Sequence, residues 1–224
     1  FENYYTVPKH GVDIIPHGNY IPFLNIQSDK NKSRDRLSIP KDRTVLLFFG
    51  MIKKVKGLEF LLESLKDVVQ KNPDVLLLIG GRIWENDFSI YQEIIDKHNL
   101  SEFCLIHNKF IPHEDVEHYY SSSDLVVLPY KRIYQSGVLM MSLSYEKAVL
   151  VSDLEPLTEL VKDNDTGFVF KSEDHDSLST KLNLILSDKD NLEKIRKRGL
   201  ELVKTKYDWL EIGKQLKKSY ESIL

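Results

Sequence analysis

The sequence predicts an α/β protein, a doubly wound, Rossmann-like parallel sheet with helices on both faces. Three observations carry this. Short and almost wholly apolar runs recur at Thr44 to Gly50, Val75 to Ile79, Phe103 to His107, Leu125 to Leu128, Ala148 to Val151 and Gly167 to Phe170, as expected of strands buried on both faces. The segments between them are polar stretches with helical periodicity, each of roughly ten to fifteen residues. Finally, 42% of the 224 residues are hydrophobic, enough for a substantial core in one large or two small domains.

In chain order, Phe1 to Leu24 contains one predicted strand, Val12 to Pro16, ending in the turn H-G-N-Y. An opening residue of Phe suggests a piece whose natural start lies upstream. Asn25 to Arg43 holds six basic and three acidic side chains around Leu37 and Ile39, which predicts a surface loop with a short helix and a solvated basic face. After the Thr44 strand, G-M-I-K-K-V-K-G leads into a helix whose Leu58, Leu61, Leu62, Leu65, Val68 and Val69 follow i, i+3, i+4, i+7 spacing and which stops before Pro73. Further helices are predicted near Ile90 to His98, Glu114 to Ser121 and Leu157 to Val161, and from Phe170 to the end. The last, about Tyr207 to Leu224, carries Trp209, Ile212, Leu216, Tyr220 and Ile223 on one stripe.

The centre of the chain is Ser123 to Asp153, a strand-loop-helix-strand crossover whose helix opens at Ser136-Gly137. In a parallel sheet the loop of such a unit lies at the carboxyl ends of the strands, where ligands bind. The first-turn N–H groups of its helix have no intrahelical partners and carry the positive end of the dipole, so a phosphate is well received there.

Composition excludes several classes. A net charge of −3 and a pI near 6.2 give no general case for nucleic-acid binding. Cys104 is the only cysteine, so neither a disulfide framework nor a cysteine metal cluster is expected, and a reducing, cytoplasmic compartment fits best. No run reaches the roughly 18 apolar residues of a spanning helix, and no signal-peptide pattern opens the chain. H-E-D-V-E-H (His113 to His118) has histidines five apart, about 500° around a helix, so it cannot place both on one metal as H-E-x-x-H does. Gly80-Gly81 has neither the dinucleotide fingerprint nor the G-K-[S/T] of a phosphate loop.

Several segments, in order, carry a resemblance. They are I-P-H-G-N-Y (Ile15 to Tyr20), F-F-G-M-I-K-K-V-K-G (Phe48 to Gly57), L-L-L-I-G-G (Leu76 to Gly81), F-I-P-H-E-D-V-E-H-Y-Y-S-S-S-D-L-V-V-L-P-Y (Phe110 to Tyr130), E-L-V-K-D-N-D-T-G-F-V-F (Glu159 to Phe170) and Y-D-W (Tyr207 to Trp209). Together the chain resembles the C-terminal, nucleotide-sugar-binding half of a retaining glycosyltransferase of GT-B architecture, in the large family that includes bacterial polysaccharide and lipopolysaccharide sugar transferases. The resemblance implies a junction at residues 1–24 from an upstream acceptor domain, a donor-binding domain at 25–206, and a terminal helix at 207–224 crossing back to the first domain. It implies a nucleotide-sugar donor, a glycan or lipid-linked acceptor held by the upstream domain, catalytic groups in that domain, and no metal or other cofactor. Peripheral association with the inner face of the membrane is compatible with it.

The donor-site residues implied are Gly50, Lys53, Lys56, Tyr134, Gln135, Ser136, Gly137 and Val138, with Phe110 and Ile111 beside the base. Cleavage of the sugar–phosphate bond puts growing negative charge on the diphosphate, which Lys56, Lys53 and the Ser136 and Gly137 N–H groups would stabilise. Each has a plainer reading: a helix-start lysine, loop polar residues, a strand end in the core. Glu159 reads equally as a helix-face carboxylate and His17 as a structural histidine. Met51 replaces the family's arginine, and the family's paired glutamates fall at Tyr134 and Ser142, while Q-S-G at Gln135 to Gly137 matches other members. Two alternatives therefore stay open: a non-catalytic nucleotide-sugar-binding or partner module of the same fold, and a sugar-nucleotide epimerase.

Overall fold

A computed structural model describes residues 12–24, 27–84 and 87–222. Six strands, β1 (Thr44–Phe49), β2 (Val75–Gly80), β3 (Cys104–His107), β4 (Leu125–Leu128), β5 (Ala148–Ser152) and β6 (Phe168–Phe170), form one parallel sheet in the order β3-β2-β1-β4-β5-β6. All six lie where the apolar runs predict them. Leu46 of β1 pairs with Leu77 on one side and Leu125 on the other. The chain thus winds outward from β1 in one direction and, after β3, in the other, and this reversal opens a crevice at the carboxyl ends of β1 and β4.

The helices are α1 (Lys30–Arg36), α2 (Leu58–Lys71), α3 (Ser89–Lys97), α4 (His113–Ser122), α5 (Gly137–Ser144), α6 (Glu155–Thr158), α7 (His175–Ser187), α8 (Lys189–Lys206) and α9 (Trp209–Glu221). Successive strand residues point to opposite faces, so Leu46 and Phe48 enter a core with α2, α3 and α7, while Val45, Leu47 and Phe49 enter a second core with α4 and α5. Leu58, Leu61, Leu62, Leu65 and Val68 of α2 are all fully buried, each worth roughly 1.5–3 kcal/mol against exposure. Helix α2 ends at Lys71 because Asn72 precedes Pro73, which disfavours helical backbone before it. Helix α8 reaches both cores, through Ile195 and Val203. Asp29, Asp174, Asp188 and Asp208 each accept a first-turn N–H and so fix where α1, α7, α8 and α9 begin.

Two expectations are corrected, and the terminal helix shows how much of its stripe this domain covers. Val12 to Pro16 is extended but belongs to no strand: Val12 and Ile14 are exposed, and the run lies along α9, where Ser219 Oγ donates to Asp13 Oδ2 at 2.5 Å. The segment before β1 is not simply a solvated basic face. Arg34 is buried and donates to the Ser122 and Lys41 carbonyls and to Asp124 Oδ2 (3.1, 2.7 and 2.9 Å), so one of its charges is a structural tie between α1 and β4. The α9 stripe is only partly covered: Ile212 is buried and Trp209 packs on His17 and Phe23, while Leu216 and Tyr220 are exposed. Ile223 lies outside the described residues.

The H-G-N-Y turn is what anchors this end. Asn19 is buried and its side-chain amide donates to the carbonyls of Val203 and Tyr207, while its own carbonyl accepts from Trp209 Nε1 at 2.8 Å. The two histidines of H-E-D-V-E-H also separate as spacing predicts, His113 outward and His118 inward, 3.3 Å from Ser33 Oγ.

Candidate functional site

The crevice has two walls. One runs from the end of β1 through Gly50 and a turn of 3-10 helix at Lys54–Lys56 to Gly57, where α2 begins. Gly57 sits at φ +67°, and a Cβ there would lie 1.9 Å from the Pro129 carbonyl oxygen. Only glycine fits this backbone-on-backbone contact with the second wall. That wall is Pro129 to Ser136, and Lys131 braces it: its N–H donates to the Val55 carbonyl (2.8 Å) and its ammonium to Glu59 Oε1 (2.7 Å).

At the end of the second wall Ser136 caps α5, its Oγ accepting the Leu139 N–H at 3.1 Å. The N–H groups of Gly137 and Val138 remain without acceptors among the described residues. Facing them is Lys56. A Cβ built on Gly50 would stand 3.1 Å from Lys56 Nζ and 3.4 Å from Val138 Cγ2, which sets the ammonium beside the first turn of α5. Lys56 Nζ has no carboxylate or hydrogen-bond acceptor among the described residues, its nearest aromatic neighbour being the Tyr130 ring at 5.6 Å. Burial, and then the nearby charge of Lys53, pull its pKa down to about 8. A cation with no counter-ion, partly desolvated, next to two free N–H groups at the positive end of a helix is a site that attracts an oxyanion.

Of the residues singled out from sequence, Gly50, Lys56, Ser136, Gly137 and Val138 meet at this point. Lys53 stands apart, its ammonium 4.8 Å from the Trp84 ring centroid. Tyr134 is 79% exposed and hydrogen-bonds Arg132, and Gln135 is also exposed. Phe110 and Ile111 divide: Phe110 is 73% exposed, whereas Ile111 packs into the second core. Ser142 is fully buried and donates to the Val138 carbonyl at 2.6 Å, so its hydroxyl is turned away from the crevice. Glu159 is exposed. His17 Nδ1 donates to the Gly18 carbonyl within its own turn, and the ring packs on Tyr20 and Trp209.

Sequence reasoning missed Tyr20. A Cβ on Gly137 would lie 3.2 Å from Tyr20 Oη, and Cβ bonds tilt toward a helix N-terminus, so this hydroxyl stands at the same mouth as the free N–H groups. It also missed the Lys131–Glu59 brace. Neither pair has a spacing signature, since both join segments brought together only by the strand order.

A doubly wound α/β domain of this strand order belongs to the class in which ligands bind in the crevice at the carboxyl ends of the strands, where Lys56 faces the α5 N-terminus. The family model for Glycosyl transferases group 1 matches residues 29–202, and the chain belongs to that family. The lipopolysaccharide 1,2-N-acetylglucosaminetransferase of Salmonella typhimurium is 25% identical over 224 residues, covering 96% of this chain and 58% of that protein. The fold matches the C-terminal domain of a group 1 glycosyl transferase, LpcC, from Francisella tularensis (TM-score 0.74, 20% identity, 89% of this chain and all of that one). It also matches Anabaena HepE in complex with UDP-glucose (TM-score 0.82, 19% identity, 94% of this chain and 57% of that one). The chain spans about half the length of the curated relatives it matches, and its architecture is that of the C-terminal half of a GT-B glycosyltransferase.

Proposed function

We propose that the chain is the donor-binding half of an enzyme that transfers a sugar from a nucleotide-sugar to an acceptor, with retention of anomeric configuration, in polysaccharide or lipopolysaccharide-type glycan synthesis. The observation that carries this reading is the Lys56 ammonium, without a counter-ion, beside the free Gly137 and Val138 N–H groups. As the sugar–phosphate bond breaks, charge grows on the leaving diphosphate, and one well-placed donor in comparable oxyanion sites is worth roughly 3 to 4 kcal/mol. Lys56 and the α5 N-terminus act on that oxygen directly and take the part a divalent cation plays elsewhere. The base lies toward Phe110 and the sugar toward Tyr134 and Gln135. Acceptor and catalytic groups come from the upstream half, against which the open α9 stripe of Leu216 and Tyr220 packs, and the enzyme works in the cytoplasm at the inner face of the membrane.

Calorimetry with uridine, guanosine and adenosine diphosphates and their sugars, with and without chelator, tests the reading. Metal-independent binding of one diphosphate series is expected, and binding that vanishes with chelator would refute the metal-free site. This chain should transfer no sugar alone, because orienting donor and acceptor between two domains supplies roughly 7 to 11 kcal/mol of barrier reduction and this domain holds the donor side. Turnover by this chain equal to that of a chain extended upstream would end the half-enzyme reading. A second reading, a non-catalytic nucleotide-sugar-binding module, is favoured by one observation: the hydroxyl of Ser142 is buried and bonded to the backbone, leaving no carboxylate there. It predicts donor binding with no transfer even by the extended chain.

A further inference from the structure

A groove of about 650 Å³ opens at the opposite end of the sheet, where β1, β2, β4 and β5 begin. Its size is that of a small-molecule site. Its lining holds seven basic and five acidic side chains, an excess of two positive charges on a chain whose net charge is −3.

Most of those charges already have partners. Asp124 receives both Arg34 and Lys30, and Arg196 is paired to Glu146 at 2.9 Å and to Glu193. Like Arg43 and Lys189 on the same lining, Lys147 has no ion pair among the described residues. It lies one residue before β5, at the floor of the groove, where its ammonium has a single neutral acceptor, the Ser123 carbonyl at 3.1 Å, and no carboxylate within ion-pair distance among the described residues. Lys30 and Arg196 stand close enough to repel its charge, and Asp124 and Glu146 close enough to attract it. An enclosed ammonium with unfilled donor capacity carries a desolvation cost that a bound anion would offset. Burial accordingly pulls its pKa down to about 8.

We infer that this groove is a second anion site, separate from the crevice at Lys56, that takes a small phosphoryl-bearing molecule with its dianionic head on Lys147 between Lys30 and Arg196. A phosphoryl group suits it because it carries more than one charge and its several oxygens can accept from more than one cation at once. Carboxylates interleaved with those cations keep the site small-ligand sized: a polyanion would meet Asp124 and Glu146 as soon as it extended beyond one phosphoryl group.

The test is amide-resolved NMR titration of the whole chain with two probes, inorganic phosphate and glycerol 3-phosphate, which separate a site for the free ion from one for a phosphorylated metabolite. In Lys56→Ala, where the other site is disabled, either probe should give saturable shifts at Ser123, Glu146 and Lys147. Lys147→Met should weaken that binding at least tenfold and Lys147→Arg should retain it. Because Lys147→Met could perturb packing, Glu146→Gln provides an independent arm. Glu146 is part-exposed, its neutralisation removes a negative charge near Lys147 and one of the two carboxylate partners of Arg196, and binding should tighten severalfold. Shifts that rise linearly without saturating, or that persist unchanged in Lys147→Met, would overturn the proposal. Those outcomes leave the reading of Lys56 intact, since nothing at the crevice is altered by them.

Discussion

Lys56 and Lys147 invite comparison because they sit at opposite ends of the same sheet, and burial brings each to a pKa of about 8. Their surroundings differ in kind. Lys56 faces a helix N-terminus and two N–H groups without acceptors, with no carboxylate near it among the described residues. Lys147 stands among paired charges, in a setting where Asp124 and Glu146 already counter most of the field. Equal burial therefore gives unequal sites: uncompensated positive potential at the carboxyl end, and at the amino end a lattice with room for one small anion. The carboxyl end gains its potential from the backbone, which no side chain neutralises.

The strongest way to break this comparison is to part the two walls of the crevice. Gly57→Ala puts a Cβ 1.9 Å from the Pro129 carbonyl at φ +67°, so backbone strain and overpacking add. A loss of roughly 2–5 kcal/mol is expected, read as a lower urea midpoint with diphosphate binding lost as well. An unchanged midpoint would mean that the wall contact is not fixed as described.

Removing the cation is the next largest effect. Lys56→Ala should weaken diphosphate binding roughly ten- to a hundredfold while leaving nucleoside binding nearly unchanged, because a charge-assisted hydrogen bond is worth about 1.5–3 kcal/mol. Calorimetry on the ligand pair checks it, and equal losses for both would reassign Lys56 to structural support. The protonated form is the one that binds phosphate, so wild-type affinity should fall as pH rises through about 8, and in Lys56→Ala this fall should be absent.

Stability gives a smaller signal that treats the two lysines alike. Each has a folded pKa below its ordinary 10.5, so between about 8 and 10.5 the unfolded chain holds more protons and stability rises with pH. Each contributes at most about 1.4 kcal/mol per pH unit in that window. Denaturant midpoints for Lys56→Met and Lys147→Met at pH 7.5 and 9.5 should show a shallower rise than the wild type. A rise identical to wild type in either variant would show that lysine to be solvated. The smallest effect belongs to Tyr134→Ala: with the ring 79% exposed, stability should stay within about 0.5 kcal/mol, and any loss should fall on the nucleotide-sugar rather than on the free diphosphate. A stability loss beyond that would place Tyr134 in the packing.

Relative affinities would also show how much of the site was legible beforehand. The six strands and the amphipathic α2 follow from local pattern, because burial on both faces demands continuous apolar runs and one-sided burial demands helical spacing. The same local logic marked Ser136-Gly137 at a strand-to-helix turn, while Lys56 came from the family resemblance of its loop. Local logic failed where a residue's environment is decided by distant chain. Val12 to Pro16 has a strand's composition but joins no strand of the sheet, and Arg34 reads as a surface charge until Asp124 is folded beneath it.

By itself the sequence determined the order of elements, the faces they bury and the family to which residues 29–202 belong, since all three depend on periodicity and on residues near one another in the chain. Only the tertiary structure decided which lysine meets the helix N-terminus and which is drawn aside. Lys53 and Lys56 are three positions apart, yet one lies over Trp84 and the other beside Val138. The physical reason is the strand order. Placing β4 next to β1 brings Pro129 against Gly57 and α5 against Gly50, and electrostatic environment depends on those contacts, which fall off over a few ångströms in space regardless of distance along the chain.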